Sequence, residues 1–387
     1  MRALLYIIIL LCIIFEAHSQ EVLINAGVDV KDADKKTVIE LWTNYLQSKP
    51  DSLYDNPYWN NHEKRYYKSF DLLNSEGFLS LHRWNKNNII LFVKRFGDYH
   101  LIRSLFHYEG TDTGKTNISA IVNVIARREN GQFRLFNYLP LHTNDWLTAT
   151  VGRIKYIYHP MHGFDPDKAA LANSFLASIS SAFNLGGDTI TYYIAPNCDE
   201  LHKMKGFDYI LTMGSLDNCG SYDRINRIVY ATTASGENHQ HELTHIINEH
   251  FPNAHELILA GISAYWGGDN AHLAKPLIYH IKRVNEYLEK HPEIDLTGIT
   301  NFYQLDSKTN PQYVIGAIIC HVALQKGGIT KLKELLASGG KDEDLLTFLS
   351  TDLGIPEKDI NPYLRKTINA LAKADSFNAL PPTFDMK

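Results

Sequence analysis

The segment HELTH at residues 241–245 restricts the local fold more than any other part of this 387-residue chain. Its two histidines lie on one face only if the segment is helical, because residues i and i+4 are neighbours on an α-helix. Ser235 or Asn238 can cap such a helix, and Pro252 stops it. The pattern predicts a helix over residues 238–251.

That helix would bring together the side chains of a zinc site. Neutral imidazoles of His241 and His245 can hold Zn²⁺ and leave one position open for a water whose pKa falls to about 7. Glu242 is then placed to take a proton from the water, which is the chemistry of peptide-bond hydrolysis. The alternative is a surface helix with solvated side chains. The β-rich segment 227–233 directly before the helix favours the metal site.

The amino terminus predicts a signal peptide. Arg2 precedes an apolar run at residues 3–15, and small residues follow before Gln20. The run is shorter than the roughly 20 residues that span a bilayer, so cleavage is expected instead of anchoring. We exclude residues 1–19 from the fold and expect a secreted or periplasmic protein with no membrane contact after cleavage.

Charge and cysteine content limit the partners and the redox state. The net charge is −5 and no long basic run occurs, so no nucleic-acid partner is expected. In an oxidising compartment Cys198 and Cys219, both in loop-like sequence, can form a disulfide, although the sequence does not set their separation. Cys320 lies in an apolar stretch and is predicted to be a buried thiol.

The pattern of apolar residues changes near residue 149. Before it, a predicted helix at residues 32–47 is followed by strand-like segments, and Asn130-Gly131 marks a hairpin turn. This order predicts a helix on a curved antiparallel sheet, similar to cystatin-like or nuclear-transport-factor-like domains. After it, short strands alternate with helices, and the chain is mostly helical beyond residue 268.

The stretch from about 150 to 375 resembles a gluzincin, the superfamily of thermolysin-like and aminopeptidase-like zinc metallopeptidases. The order of strands, HExxH helix, second helix and helical subdomain matches. The metzincin pattern HExxHxxGxxH fails, because Asn248 and Phe251 stand at its glycine and third histidine. Together with the amino-terminal pattern, the resemblance predicts an α+β protein. Its parts are an accessory helix-plus-antiparallel-sheet domain (20–149), a zincin-like α/β subdomain (150–268), a helical subdomain (269–375) and a loose tail (376–387).

The resemblance makes the third zinc ligand a problem. In many gluzincins the second helix reads E-G-x-A-x-Y, and its Glu completes the metal site. Residues 260–265 match the Gly and the Tyr, but Ala260 stands at the ligand position. Glu256, one turn earlier on the same face, is the predicted replacement; alternatively, Asn253 and Glu256 form a capping box. Further candidates are Asp269, His250 and His255.

Two supporting roles follow from the same resemblance and from spacing. In the aminopeptidase branch a Tyr before a small-residue helix helps to bind the oxyanion, and Tyr313 has a similar Y-x-x-G setting. A packing role is the alternative, and Tyr222 and Tyr265 are other candidates. Glu249, at i+4 from His245, is either a partner that orients this imidazole or a solvated side chain.

The sequence therefore predicts a zinc-dependent peptidase that acts on a peptide or protein. Its predicted catalytic residues are Glu242 and Tyr313, and its predicted Zn²⁺ ligands are His241, His245 and Glu256. The main alternative is a pseudopeptidase that binds peptide or glycan without cleavage, because Ala260 has removed a ligand. A transport or assembly factor with a ligand-binding amino-terminal sheet is a further alternative.

Overall fold

The chain forms two compact units in a computed structural model that describes residues 21–48, 57–64, 87–109, 116–211, 213–214, 219–224, 226–267, 275–298, 305–306 and 309–382. The first unit comprises Met1–Asn144 and His202–Met213, and the second comprises Asp145–Leu201 and Gly214–Lys387. The predicted signal peptide lies outside the described residues. The predicted domain boundaries at 149 and 268 stay predictions.

The described elements alternate between strands and helices in the first half and are mainly helical in the second. The strands are β1 (Glu21–Ile24), β2 (Asn87–Phe96), β3 (Tyr99–Glu109), β4 (Thr116–Glu129), β5 (Gln132–Phe136), β6 (Leu147–Val151), β7 (Ile154–Tyr158), β8 (Ile190–Ala195), β9 (Phe207–Ile210), β10 (Ser221–Asp223) and β11 (Ile228–Thr232). The helices are α1 (Ala33–Leu46), α2 (Asn61–Lys64), α3 (Leu139–His142), α4 (Pro166–Phe183), α5 (Cys198–Met204), α6 (Gln240–Thr244), α7 (Glu256–Gly267), α8 (Leu277–Lys290), α9 (Pro311–Ala337), α10 (Asp342–Thr351) and α11 (Ile360–Ala372), with 3₁₀ turns at His245–Glu249 and Glu357–Asp359.

The first unit packs α1 on a sheet of order β1-β2-β3-β4-β5, with β9 paired to β4. The Asp32 carboxylate accepts two backbone N–H bonds at the start of α1, and the buried Trp42 indole donates to Ser104 Oγ at 2.7 Å. Asn130 and Gly131 form the predicted hairpin turn with positive φ. These elements confirm the predicted α+β class.

The second unit has a sheet of order β10-β11-β8-β7-β6. β7, β8 and β11 are parallel, whereas both edge strands run antiparallel to their neighbours. α4 covers the sheet with Ala169, Ala172, Leu176 and Ile179, all fully buried. β11 leads through a short loop into α6, so the sheet positions the HELTH segment as the strand-to-helix order predicts.

α7 and α9 cross where two glycines meet. A Cβ built on Gly261 would lie 2.2 Å from the carbonyl carbon of Gly316, so a side chain there has no room. α9 is long and apolar enough to cross a membrane. However, 67% of its most apolar 18-residue stretch is buried within the fold. Non-helical angles at Gly327 and Gly328 also divide it. We therefore describe α9 as a core helix.

The carboxy-terminal segment is not a loose tail as far as residue 382. The Leu380 N–H donates to the Tyr265 hydroxyl at 2.8 Å, and the Leu380 carbonyl accepts from the Trp266 indole at 2.9 Å. Phe377 and Leu380 pack against the core of the second unit. The expectation of a loose tail relied on Pro381 and Pro382, which end helices but do not prevent packing.

Candidate metal centre

The HELTH segment forms a shorter helix than predicted. α6 begins at Gln240 with His239 as its N-cap, and from His245 the backbone tightens into a 3₁₀ turn that ends at Glu249. The predicted caps Ser235 and Asn238 are not used. The His239 N–H is instead held by the buried Tyr192 hydroxyl at 3.1 Å, a tertiary contact that no local pattern reveals.

The rings of the two histidines of the motif are separated by a distance that a shared metal allows. Their ring centres are 5.2 Å apart and their planes meet at 77°. Two imidazoles on one tetrahedral zinc, with Zn–N near 2.0 Å, have ring centres roughly 5 Å apart. Burial lowers the pKa of His245 to about 4, which keeps the ring neutral at pH 7, the form that binds metal. This pair of donors therefore fits zinc.

Glu242 lies beside the pair without being part of it. Its side chain is almost fully buried, and Oε2 is 3.9 Å from Nε2 of His245. Gly220, which precedes β10, borders it on one side: a Cβ there would be 3.2 Å from Glu242 Cγ. A carboxylate in this position can exchange protons with a molecule bound next to His245.

Tyr313 lies next to the motif, at the first turn of α9. Its ring centre is 6.1 Å from that of His241. Burial raises the pKa of Tyr313, and the charge of Glu242 raises it further, so the hydroxyl keeps its proton at neutral pH. The structure thus groups Tyr313 with His241 and Glu242, where it can donate a hydrogen bond.

Glu256 is not grouped with these residues. It is exposed at the first residue of α7, whereas Gly267 at the other end is the residue that packs on His241. Across the 12 residues of α7 the two ends are about 16 Å apart along the axis. Over the ranges that the structure describes, no three His, Cys, Asp or Glu side chains are arranged to hold a metal ion.

The other candidates for a third ligand have different settings. The capping box of Asn253 and Glu256 does not form, because α7 begins at Glu256 and His255 Nδ1 accepts from the Leu257 N–H at 3.2 Å. His255 Nε2 also lies 2.8 Å from a carboxylate oxygen of Asp342. His250 is exposed. Asp269 lies outside the described residues, and Ala260 offers no donor.

Asn248, not Glu249, contacts His245. The Asn248 amide lies 2.9 Å from Nδ1 of His245, while Glu249 accepts from the Tyr222 hydroxyl and from Arg227. In the structure the amide nitrogen is the atom nearest Nδ1. Nε2 of His245 is free to bind a metal only when the amide group is rotated so that its oxygen accepts the Nδ1 proton. Spacing favoured Glu249 at i+4, but the 3₁₀ turn brings the i+3 residue Asn248 beneath the ring.

A third imidazole that the sequence reasoning missed lies beside the pair. The ring centre of His239 is 6.3 Å from that of His241. Burial lowers the pKa of His239 to about 4, and the nearby His245 lowers it further. The available signal was the sequence HQHELTH, in which a histidine precedes the motif by two residues.

A disulfide lies close to this group along the chain. Cys198 and Cys219 are joined, with Cα atoms 5.7 Å apart, which confirms that predicted pairing. Cys219 directly precedes Gly220, the neighbour of Glu242. Cys320 is a free, buried cysteine whose pKa is raised by burial, in agreement with a core role.

Among solved structures, M1 zinc metallopeptidases are similar to this chain. A variant of the enzyme from Deinococcus radiodurans bound to a Tyr-Ser-Ala substrate is 13% identical, over 76% of this chain and 64% of that one, with a TM-score of 0.30. A variant of a two-domain M1 zinc metallopeptidase bound to L-arginine is 12% identical over the same shares, with a TM-score of 0.29. This chain thus spans less than two thirds of their length. No protein-family model matches the sequence, and no curated protein sequence does.

Proposed function

We propose that this chain is a secreted or periplasmic zinc-dependent peptidase of gluzincin type that cleaves peptide or protein substrates. One observation carries the proposal: the imidazoles of His241 and His245 are 5.2 Å apart, and the Glu242 carboxylate lies 3.9 Å from His245. This spacing suits two ligands of one metal with a proton acceptor beside them.

Different residues of the chain have different roles in hydrolysis. Zinc supplies a Lewis acid that makes water nucleophilic near neutral pH. Glu242 accepts a proton from the attacking water and passes it to the leaving amine. The protonated Tyr313 hydroxyl donates to the negative charge that develops on the carbonyl oxygen. The burial of Glu242 strengthens its interactions, because little solvent screens them.

Metal content and hydrolysis of the mature protein test the proposal together. We expect about one zinc ion per chain, its loss in His245→Ala and its retention in the exposed control His250→Ala. Glu242→Gln should keep zinc while hydrolysis of a mixed peptide library falls roughly 10²- to 10⁴-fold, because the base is not a ligand. Background zinc in the unaltered protein would refute the enzyme, and undiminished hydrolysis in Glu242→Gln would refute the base.

A pseudopeptidase is the second candidate, favoured by the methyl group of Ala260 where gluzincins carry a ligand. In that case peptide or glycan would bind without being cut. Ala260→Glu tests it by restoring a carboxylate: a ligand-poor site should gain zinc affinity. No change would mean that another side chain already fills the position.

A further inference from the structure

His239 is the residue near the motif that the mechanism above does not use. Its ring adjoins that of His241, which in turn adjoins that of His245. Three imidazoles from one short stretch, residues 239–245, therefore lie side by side next to Glu242.

A buried tyrosine restrains the backbone of His239 through a hydrogen bond. The Tyr192 hydroxyl accepts from the His239 N–H at 3.1 Å and donates to the Gly236 carbonyl at 2.8 Å. Tyr192 is fully buried on β8. Any adjustment of His239 is thus confined to its side chain.

The chain leaves space for the His239 ring at Gly220. A Cβ on Gly220 would lie 2.4 Å from Cε1 and 2.8 Å from Nδ1 of His239, closer than atoms can approach. The φ angle of Gly220 is not positive, so its backbone conformation does not require glycine. Glycine at position 220 therefore makes room for the His239 imidazole. The disulfide at Cys219 restrains the adjoining backbone.

Within the described residues, one ring nitrogen of His239 is unsatisfied. Its Nδ1 is buried and has no hydrogen-bond partner in the part of the chain that the structure describes. A buried ring nitrogen without a partner is costly, and a metal ion would satisfy a nitrogen of this ring. The His239–His241 ring-centre separation of 6.3 Å exceeds the His241–His245 separation of 5.2 Å by about 1 Å, so the His239 ring must move closer to share one metal ion with the other two.

We propose that His239 is the third protein ligand of the zinc site, in place of the glutamate that the second helix lacks. This inference rests on the proposed function. Three histidines with one open position form a known donor set of catalytic zinc. Of the two rivals, Ala260 has no donor atom, and Glu256 is exposed at the end of α7 far from Gly267.

Zinc X-ray absorption and chelator competition on the full-length mature protein test the assignment without relying on activity. We expect scattering from three imidazoles in the unaltered protein and from two in His239→Gln. Loss of an outer partner of a ligand costs about 10- to 100-fold in metal affinity, so loss of a ligand should cost at least 100-fold. Glu256→Gln and the exposed His250→Gln should leave both readouts unchanged.

A second variant keeps the imidazole and moves it. Gly220→Ala should displace the His239 ring and weaken zinc binding even though all three histidines remain, with far-ultraviolet circular dichroism confirming the fold. Two imidazoles in the unaltered protein, or unchanged affinity in His239→Gln, would overturn the assignment and leave the peptidase proposal standing. Absence of zinc from the unaltered protein would overturn both.

Discussion

Gly267 packs against the backbone of His241 so tightly that a Cβ on Gly267 would lie 2.4 Å from the Cα of His241 and 2.5 Å from its nitrogen. The last residue of α7 thus determines where the first histidine of the motif stands. Backbone atoms cannot yield as a flexible side chain can. This contact gives the most direct prediction about the site.

Gly267→Ala should displace α6 and weaken the metal centre. Overpacking of this kind costs about 1–3 kcal/mol of unfolding free energy, more than the roughly 1 kcal/mol that alanine gains over glycine within a helix. Urea unfolding and zinc affinity would be measured in parallel. Gly163→Ala is the control, because nothing lies within 4 Å of a Cβ at Gly163. Equal zinc affinity in the two variants would contradict this role of Gly267.

Asn248 should act on the metal through His245. Asn248→Leu removes the group 2.9 Å from Nδ1 and should lower zinc affinity about 10- to 100-fold, the usual cost of losing such a partner. Asn248→Asp should retain affinity, because a carboxylate accepts the Nδ1 proton and leaves Nε2 free. Chelator competition measures both. If the leucine and aspartate variants bind zinc equally well, the amide does not position the ring.

His100 should make the first unit sensitive to acid. It is 2% exposed on β3, packs edge-on to Phe133, and has no hydrogen-bond partner for either ring nitrogen among the described residues. Burial lowers the pKa of His100 below its ordinary 6.5. The unfolded chain therefore takes up a proton first, and stability is lost as the pH falls below about 6.5.

His100→Leu should remove that loss. Urea unfolding at pH 5 and pH 7 would show a smaller difference in the variant than in the unaltered protein, because an apolar side chain has no proton to gain. The exposed His250→Leu should leave the difference as it is. A pH dependence that survives in His100→Leu would assign the acid sensitivity to other groups.

The disulfide should contribute to stability through the chain that it closes. Cys198 and Cys219 are 21 residues apart, and closure of a loop of that length is worth about 3 kcal/mol in the unfolded state. The double variant Cys198→Ala/Cys219→Ala should unfold at correspondingly lower urea concentration, and a reductant should then have no further effect. An unchanged midpoint would mean that the cross-link does not constrain the unfolded chain.

Local signals in the sequence predicted elements that depend on neighbouring residues. The helix predicted at residues 32–47 forms as α1, and the predicted turn at Asn130-Gly131 joins β4 to β5, because each depends on short-range interactions. The HELTH helix and its entering strand β11 were predicted for the same reason. The pairing of β9 with β4 was not, because it joins residues far apart along the chain.

The surroundings of the motif depend on tertiary contacts and were harder to predict. Asn248 reaches His245 only because the helix tightens into a 3₁₀ turn, and the Tyr192 hydroxyl moves the helix cap to His239. The spacing that suggested Glu256 as a ligand describes one face of α7, but not which end of α7 meets His241. That choice is made by the glycine contacts at Gly261 and Gly267.

The hydrogen bond from the Leu380 N–H to the Tyr265 hydroxyl joins residues 115 positions apart. Trp266, which donates to the same residue, precedes the Gly267 that abuts His241. During synthesis, the end of α7 therefore cannot reach its final hydrogen bonding until residue 380 has left the ribosome. The contacts that support the HELTH segment through Gly267 are therefore completed only after residue 380 has been made.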